Sequence, residues 1–281
     1  MTASSLAPET ASAAHRVRSD VPFVVCLCLL GSVYLLLIVA MLLADLSFTT
    51  VGSFLAALRS PEIRYAIRLS LISCSMTALL SLWIAVPIGY LMSRYSFRGK
   101  AIVDAALDIP IVLPPLVIGL SLLILFRTAA GRFVEWFIPV TYAVPGIILA
   151  QWMVACAFAV RTMRTTFDQI SPRQEQVALT LGCSQSQAFW QIVLPQTRRG
   201  ILAAGTLAWA RALGEFGPIL IFSGATRMRT EVMPTSVFLE LSVGNIEAAV
   251  AVSLLMVIAA VAVLLLVRIF GQTEPLKANQ V

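Results

Sequence analysis

The sequence is poor in the side chains that enzymes and metal sites most often use. It contains one histidine, His15, and five cysteines that have neither metal-ligand nor disulfide spacing. It also lacks a G-x-x-x-x-G-K-[ST] phosphate loop, so the chain cannot hydrolyse ATP by the P-loop route. These absences exclude a histidine-based metal site or catalytic triad, and we expect the chain to hold no cofactor of its own.

Charge is scarce as well. Charged residues make up 12% of the 281 residues, against about 25% in a soluble domain. Apolar residues make up 59%, against about 45–50%. The net charge of +6 comes from short clusters between apolar runs rather than from one basic stripe, which argues against a nucleic-acid partner. The composition therefore predicts an all-α integral membrane protein.

Six apolar runs are each close to the ~20 residues that a helix needs to cross a bilayer. They lie at about 22–44, 65–92, 102–126, 141–160, 200–223 and 246–270. The first run is too long for the apolar part of a cleaved signal sequence, so we expect it to be retained. The sequence predicts a transmembrane domain over 21–271, a disordered cytoplasmic tail at 1–20 and a cytoplasmic tail at 272–281.

The connections between these runs differ in basic charge. Of the twenty Lys and Arg residues, twelve fall in the tails and in the connections 93–101 and 161–199, which lie on one side. Six fall in the connections on the other side, and Arg68 and Arg211 lie within the runs. By the positive-inside rule, both termini and the connection 161–199 are predicted to be cytoplasmic.

The connection 161–199 has the signals of a helix, a sharp turn and a second helix. Ser171–Gln174 predicts a capped helix start with proline at the first helical position. Gly182 suits the left-handed residue that ends a helix, Ser184–Gln187 predicts a second capping box, and Pro195 predicts the end of the second helix. The apolar faces at helical spacing are Val177, Ala178 and Leu181, then Phe189, Ile192 and Val193. Such a hairpin either covers the end of the bundle or docks another protein.

The fifth run carries charges near its middle. Arg211 and Glu215 are four residues apart and hence on one helical face. A charge at the bilayer centre costs about 2.5–3.5 kcal/mol or more, so such residues usually face a bundle interior or a water-filled path. They are either a buried structural ion pair or part of a conduit in which Arg211 favours an anion. Gly214, Gly217 and Pro218 weaken the helix at the same depth, where interrupted helices mainly line cavities or lie buried in protein.

The third run has a matching irregularity in the segment DIPIVLPPLVIG, residues 108–119. Its prolines, Pro110, Pro114 and Pro115, predict helix kinks. The kinks either shape the packing of the bundle or bring this segment to a substrate.

The hairpin resembles the cytoplasmic coupling loop of ABC-importer permeases. In that family a Glu-Ala-Ala sequence leads to a glycine and, after nine more residues, to Ile-x-Leu-Pro. Gln176 stands where the family has its glutamate and Glu175 lies one residue earlier, which leaves open which of the two contacts the partner. The ATPase-coupling residues implied by the resemblance are Glu175, Gln176, Ala178, Gly182, Ser184, Ile192, Leu194 and Pro195.

Two further segments, ARALGEFG at 210–217 and the proline segment at 110–115, are similar to the branch of this family that imports tetrahedral oxyanions. The loop after residue 222, with Arg227, also fits that branch. The resemblance favours molybdate or tungstate, with Phe216 as a mild indication, and sulfate is the alternative. The substrate pathway that it implies comprises Arg211, Gly214, Glu215, Phe216 and Gly217.

The resemblance implies the membrane permease subunit of an ATP-driven, binding-protein-dependent importer in the bacterial-type cytoplasmic (inner) membrane. Such a subunit is not an enzyme. It implies a homodimer, two cytoplasmic ATPase subunits that bind ATP and Mg, and an extracytoplasmic substrate-binding protein. The alternative from another class is an anion carrier driven by an ion gradient. That carrier would need its own coupling groups, and the candidates are Asp104, Asp108, Arg211 and Glu215.

Overall fold

Helices account for all the regular structure in the part of the chain that is described. The structure is a computed structural model that describes residues 21–271, with side chains except those of Pro22 and 266–271. Within this range each regular element is helical, so the predicted all-α fold is confirmed. The predicted tails, 1–20 and 272–281, lie outside the described residues.

The chain divides into two units at Ser47. Nearly all of helix α1, Val21–Phe48, belongs to the first unit, and this helix extends the predicted run 22–44 at both ends. Its 28 residues span about 42 Å at 1.5 Å per residue, which is enough to cross a bilayer.

The second unit begins at Phe48 and holds the remaining helices. A π-helical segment, Phe189–Val193, joins two of them. The helix bounds are α2 Val51–Arg59, α3 Pro61–Arg94, α4 Lys100–Val112, α5 Pro115–Arg127, α6 Ala129–Phe137, α7 Val144–Asp168, α8 Arg173–Thr180, α9 Gln185–Ala188, α10 Leu194–Gln196, α11 Arg198–Leu213, α12 Gly217–Phe222, α13 Met233–Val243 and α14 Ile246–Gly271.

The centre of the second unit is formed by α3 and α7, with α11 packed against both. Small side chains dominate this contact, and they let helices approach closely where lipid gives no hydrophobic drive for association. The alanines here with no exposed surface are Ala85, Ala155, Ala159, Ala204, Ala208 and Ala212. A second core joins α5, α7 and α12 through Ile118, Ile147 and Phe222.

Four helices, α1, α3, α7 and α14, are long and apolar enough to cross a membrane. The predicted run 102–126 is not one straight helix: α4 and α5 are bent by 110° where Leu113 and Pro114 separate them, within the segment whose prolines predict kinks. The predicted run 200–223 is also interrupted, since α11 ends at Leu213 and α12 starts at Gly217. Two of the six apolar runs are therefore broken helices.

The boundary between the fourth run and the connection after it also differs from the prediction. Helix α7 continues to Asp168, so residues 161–168 are helical rather than part of a loop. Hydroxyl groups fit this helix because they bond to its own carbonyls: Thr162 donates to Phe158 O and Thr166 donates to Thr162 O, both at 2.9 Å. The connection between α7 and α11 is thus shorter and more ordered than the sequence predicted.

Candidate functional site

The turn of the hairpin has the geometry that the sequence predicts. Gly182 has φ +91°, and a Cβ placed on it would meet nothing within 4 Å. Glycine is therefore required here by the backbone conformation and not by a lack of space for a side chain. Around it the amide of Cys183 donates to Ala178 O and that of Gly182 to Leu179 O, each at 3.1 Å. These two bonds form a Schellman motif that ends α8.

The second helix of the hairpin begins with the predicted capping box. The hydroxyl of Ser184 accepts from the amide of Gln187 at 3.2 Å, and the side chain of Gln187 accepts from the amide of Ser184 at 2.8 Å. The predicted capping box at the start of α8 is wrong, because Ser171 Oγ accepts from the amide of Arg173 at 3.4 Å instead of from Gln174. The N-cap of α8 is Pro172, so Ser171 lies one residue before the position from which a side chain caps the helix.

Pro195 does not end the second helix as predicted. The preceding residues, Phe189–Val193, form a π-helical turn in which Leu194 donates to Phe189 O. The wider turn accommodates a proline that cannot donate to the carbonyl four residues before it. Helical structure therefore runs from Gln185 through α11 with a single interruption at Thr197.

An ion pair fixes the hairpin to the rest of the bundle. Arg94 at the end of α3 donates from Nε to Glu175 Oε1 at 2.8 Å, and both side chains are largely buried. The same guanidinium donates to Phe167 O at 3.1 Å and to Ile170 O at 3.0 Å, where α7 ends. Arg94 thus ties together α3, the end of α7 and α8.

Aromatic side chains fill the space beneath this ion pair. The ring of Tyr90 meets those of Phe167 and Phe189 edge-on, with centroids 5.6 and 4.7 Å apart. Its hydroxyl donates to Glu175 Oε2 at 3.2 Å. Val193 from the π-helical turn is completely buried against the same core. The inner face of the hairpin is therefore packed and hydrogen-bonded.

The outer face of the hairpin exposes apolar side chains among its polar ones. In the predicted stripe of α8 only Ala178 is buried, while Val177 and Leu181 are 57% and 80% exposed. Trp190, at 64% exposed, lies on the second helix. Gln176 is exposed as well, in contrast to Glu175. Of the other predicted coupling residues, Ile192 and Leu194 are half-buried and Pro195 is exposed.

Arg211 and Glu215 meet, as their spacing predicted. Arg211 Nη1 lies 2.7 Å from Glu215 Oε1, and the guanidinium also lies over the ring of Phe158, 5.6 Å from its centroid. Glu215 is 1% exposed, whereas the side chain of Arg211 is 31% exposed. Gly214 between them is exposed. Glu215 is thus buried, whereas part of the Arg211 side chain reaches the surface.

The two broken helices predicted from the sequence pack against each other. A Cβ on Gly119 would lie 2.9 Å from both Cα and O of Pro218, so only glycine allows α5 to approach α12 this closely. Across the same contact, Gly217 lies against Pro115. Pro115 is the first residue of α5 and Pro114 is its N-cap, while Pro110 is accommodated inside α4. Phe216 of the break contacts Phe238, with centroids 5.4 Å apart.

A groove of about 360 Å³ runs along the C-terminal half of α7. It begins at Phe158, beneath Arg211, and reaches Gln169 at the end of α7, with Leu207 of α11 on its other side. Arg161 and three threonines supply its polar surface: Thr162, Thr165 and Thr166. The groove therefore extends from the ring that lies beneath Arg211 to the residue that follows α7.

Both arginines of α7 are paired with carboxylates of α4. Arg164 forms an ion pair with Asp104, and Arg161 Nη1 lies 3.0 Å from Asp108 Oδ2. These pairs fasten α4, which has no buried residue of its own, to α7. A cavity of about 320 Å³ lies between the two helices and is lined by these four side chains and Asp168.

The loop after α12 is ordered by its own polar groups. Arg227 Nη2 donates to Glu240 Oε1 at 2.8 Å, and this hydrogen bond raises the pKa of Arg227. The hydroxyl of Thr230 accepts from the amide of Thr226 at 3.1 Å. With α2 and the start of α14, this loop borders a cavity of about 650 Å³ that Glu62 and Glu247 also line.

Two residues that hold helices together, Gln151 and Arg94, were not predicted from the sequence. Gln151 of α7 is 1% exposed and donates from Nε2 to Ala212 O at 3.2 Å, while its Oε1 accepts from Thr77 at 3.2 Å. A glutamine within an apolar run was the available signal, because polar side chains at membrane depth need partners. Arg94 was missed as an anchor because it lies far from Glu175 in sequence.

The described part of the chain offers no metal centre: within residues 21–271 no three His, Cys, Asp or Glu side chains are grouped to hold an ion. The sites that remain are the hairpin, the Arg211 pair with its groove, and the contact between the broken helices. Each consists of groups that bind, position or move, rather than of groups that react.

Comparison with known proteins gives a consistent result. Residues 85–273 match the family described as binding-protein-dependent transport system inner membrane component. The chain is 31% identical over 239 residues to the sulfate transport system permease protein CysT of Escherichia coli (strain K12), covering 84% of this chain and 85% of that protein. It is 38% identical over 164 residues to the molybdate/tungstate transport system permease protein WtpB of Pyrococcus abyssi (strain GE5 / Orsay), covering 58% and 62%.

The fold has a counterpart among solved structures. It is similar to a chain in the crystal structure of a bacterial alginate ABC transporter in complex with an alginate pentasaccharide-bound periplasmic protein. The TM-score is 0.72 at 14% identity, and the match covers 89% of this chain and 94% of that chain. At this identity the likeness concerns the fold alone.

The ion pair beneath the hairpin gives a direct test of the anchor. We expect Arg94→Gln and Glu175→Gln each to lower the free energy of unfolding, by about 1.5–3 kcal/mol for a hydrogen bond to a charged group. The double variant should lose less than the sum of the two, because each single change already breaks the pair. Thermal unfolding of the purified proteins in detergent measures this. Strictly additive losses would contradict the anchor, and Gln176→Ala, which changes an exposed neighbour, is the control.

Proposed function

Since the chain belongs to the family of binding-protein-dependent transport system inner membrane components, and is thus a permease subunit of an ABC importer rather than an enzyme, we propose that its cargo is a tetrahedral oxyanion. The observation that carries this proposal is the Arg211–Glu215 pair at the break between α11 and α12, next to exposed Gly214. A guanidinium matches the oxygen geometry of an oxyanion and keeps its charge at any physiological pH. The names of the relatives, which include sulfate and molybdate/tungstate permeases, agree with this substrate class.

Within this class we favour molybdate or tungstate over sulfate. The segment with Phe216 after Glu215 resembles that branch, and the molybdate/tungstate relative has the higher identity over its shorter alignment. Sulfate remains the alternative, because the longer alignment is with a sulfate permease. The three anions share a charge and a shape, so a single arginine in the path would serve any of them.

The hairpin is the proposed contact with an ATPase subunit. Its exposed apolar side chains, Val177, Leu181 and Trp190, form a patch that a groove on a partner would bury. The opposite face is held to the bundle by Glu175. This division supports Gln176, rather than Glu175, as the polar side chain that meets the partner. Ser184, Ile192, Leu194 and Pro195 would then shape the hairpin rather than make its main contact.

The attachment of the hairpin to α3, α7 and α11 suits mechanical coupling between an ATPase partner and the helix break. The hairpin is fixed to α3 and α7 by Arg94, and it continues through Pro195 into α11, which ends at the break. A displacement of the hairpin by its partner would therefore move the break that lies beside Arg211. In this mechanism the anion passes Arg211 and follows the groove along α7 past Arg161.

The assembly that we propose contains two copies of this chain, two cytoplasmic ATPase subunits that bind ATP and Mg, and an extracytoplasmic substrate-binding protein. The distribution of basic residues supports an inner-membrane orientation with the hairpin and both termini in the cytoplasm. A carrier driven by an ion gradient is the less favoured hypothesis, because two of its candidate coupling groups, Asp104 and Asp108, are both engaged in ion pairs with arginines.

Uptake of labelled molybdate, tungstate and sulfate tests the substrate. In cells that lack this chain, we expect uptake of molybdate and tungstate to be lost and to return when the gene is restored, since no other subunit supplies the path. Loss of sulfate uptake alone would move the chain to the sulfate permeases. No change for any of the three anions would refute the oxyanion proposal.

A change at Gly182 tests the coupling hairpin. Valine at φ +91° is strained, so Gly182→Val should distort the Schellman turn while the membrane helices remain in place. We expect normal amounts of protein in the membrane, ATP hydrolysis by the complex, and uptake reduced to background.

The matched control for this change is Gly244→Val. Gly244 also ends a helix in the left-handed conformation, at φ +84°, and also has nothing within 4 Å of its Cβ position, but it follows α13 and lies outside the hairpin. Equal loss of uptake in both variants would show that backbone strain alone is responsible.

Arg211 distinguishes a pathway role from a structural ion pair. Arg211→Gln leaves Glu215 buried without its partner, and breaking such a pair costs about 3–5 kcal/mol. The double variant Arg211→Gln, Glu215→Gln removes both charges and should recover protein stability. If Arg211 serves the anion, we expect uptake by the double variant to stay low while its thermal unfolding midpoint returns. Full recovery of uptake would assign the pair to structure alone.

A further inference from the structure

Gln151 lies at the junction of three helices. It belongs to the middle of α7 and is 1% exposed. Its carbonyl oxygen accepts from the hydroxyl of Thr77 on α3, and its amide donates to Ala212 O on α11, both at 3.2 Å. The second amide hydrogen faces the sulfur of Cys74 at 3.7 Å. All hydrogen-bonding groups of this side chain are thus used, as a buried amide requires.

The partner on α11 is a carbonyl that the helix break affects directly. In an uninterrupted helix, Ala212 O would accept from the amide of Phe216, four residues on. The break at Gly214–Phe216 ends this pattern, and Ala212 O accepts instead from the amide of Glu215, at 3.2 Å, and from Gln151. The side chain of Gln151 therefore takes part in closing the open end of α11.

This end of α11 is also the far end of the helical path that starts in the hairpin. Helical structure extends from Gln185, through the π-helical turn and Pro195, to Leu213, with a single interruption at Thr197. A second tie, Trp209 Nε1 to Ser75 Oγ at 3.4 Å, joins α11 to α3 one turn earlier. A displacement of the hairpin would thus be transmitted along this helical path to the end of α11, where Gln151 bonds to Ala212.

We propose that Gln151 is a positioning residue that fixes the end of α11 against α3 and α7, so that movement of the hairpin opens the chain at Gly214–Phe216 instead of sliding α11 as a whole. It acts through Ala212 and does not contact the substrate. This inference rests on the proposed function as an ATP-driven importer, because it concerns how ATP-driven motion becomes passage of the anion.

The test uses the complete complex, with ATPase subunits and binding protein, in liposomes. Gln151→Met keeps nearly the same volume but removes the bonds to Thr77 and Ala212, so the variant should fold. We expect the number of anions imported per ATP hydrolysed to fall roughly fivefold to tenfold, the factor for losing one or two buried hydrogen bonds. The rate of ATP hydrolysis should change by less than about twofold.

Two further variants separate positioning from general structure. Thr77→Val removes the hydroxyl that donates to Gln151 Oε1 and, at 3.4 Å, to Ile148 O, but it leaves the bond from Gln151 to Ala212 O in place, so it should lower the same ratio by a smaller factor. Ser81→Ala is the control, since Ser81 lies one turn further along α3, is buried, and has no hydrogen-bond partner among the described residues. We expect this control to import as many anions per ATP as the unchanged protein.

These measurements distinguish a failure of the Gln151 proposal from a failure of the proposed function. If the unchanged complex hydrolyses ATP but imports no oxyanion, the proposed substrate is wrong. If it imports oxyanion and Gln151→Met does so at the same ratio, the positioning role is wrong. A proportional fall of transport and hydrolysis, together with a lower unfolding midpoint, would assign Gln151 to stability alone and also overturn the proposal.

Discussion

The structure depends on one constraint: a backbone N–H or C=O group inside a bilayer must find its partner within the protein. An unbroken helix satisfies this by itself, but two of the six apolar runs here are broken, at Leu113–Pro114 and at Gly214–Phe216. Backbone groups beside the breaks find partners within the chain: the amide of Leu113 donates to Ile109 O, and that of Glu215 donates to Ala212 O. Next to the breaks α5 packs on α12 through the contacts of Gly119 with Pro218 and of Gly217 with Pro115, and only residues without a bulky Cβ substituent permit this approach.

Charge in the central helices follows the same rule. Each guanidinium of α7 has a carboxylate beside it, Arg164 with Asp104 and Arg161 with Asp108, and Arg211 has Glu215. An anion that moves past these groups meets arginines already engaged with carboxylates, so it would be held weakly. Weak holding suits a conduit, which has to release what enters it. It also fits selection of the substrate by a separate binding protein rather than by this chain.

The features that the sequence predicted correctly depend on neighbouring residues, whereas the two missed contacts join residues that are distant in sequence. The left-handed Gly182, the Ser184 capping box and the Arg211–Glu215 pair are all set within four residues, and each is present. The Arg94–Glu175 anchor joins residues 81 positions apart, and the Gln151–Ala212 bond joins residues 61 apart. Pro195 was misinterpreted because the π-helical turn that accommodates it has no simple sequence signal. The sequence ended the fourth run at residue 160, where polar residues begin, whereas α7 continues to Asp168 because Thr162 and Thr166 bond to carbonyls of the helix itself.

The position of Glu175 has a consequence for how force enters the membrane domain. A hairpin attached only through its two connecting segments would tilt on its own when a partner pulled it. Here Glu175 is tied through Arg94 to α3 and to the last carbonyls of α7, and Tyr90 packs between Phe167 and Phe189. The hairpin, the C-terminal end of α3 and the C-terminal end of α7 must therefore move as one body. Because α11 leaves the same hairpin as a helix and is held at its other end by Gln151, the soft point along this path is the Gly214–Phe216 break, next to the one arginine of the fifth run.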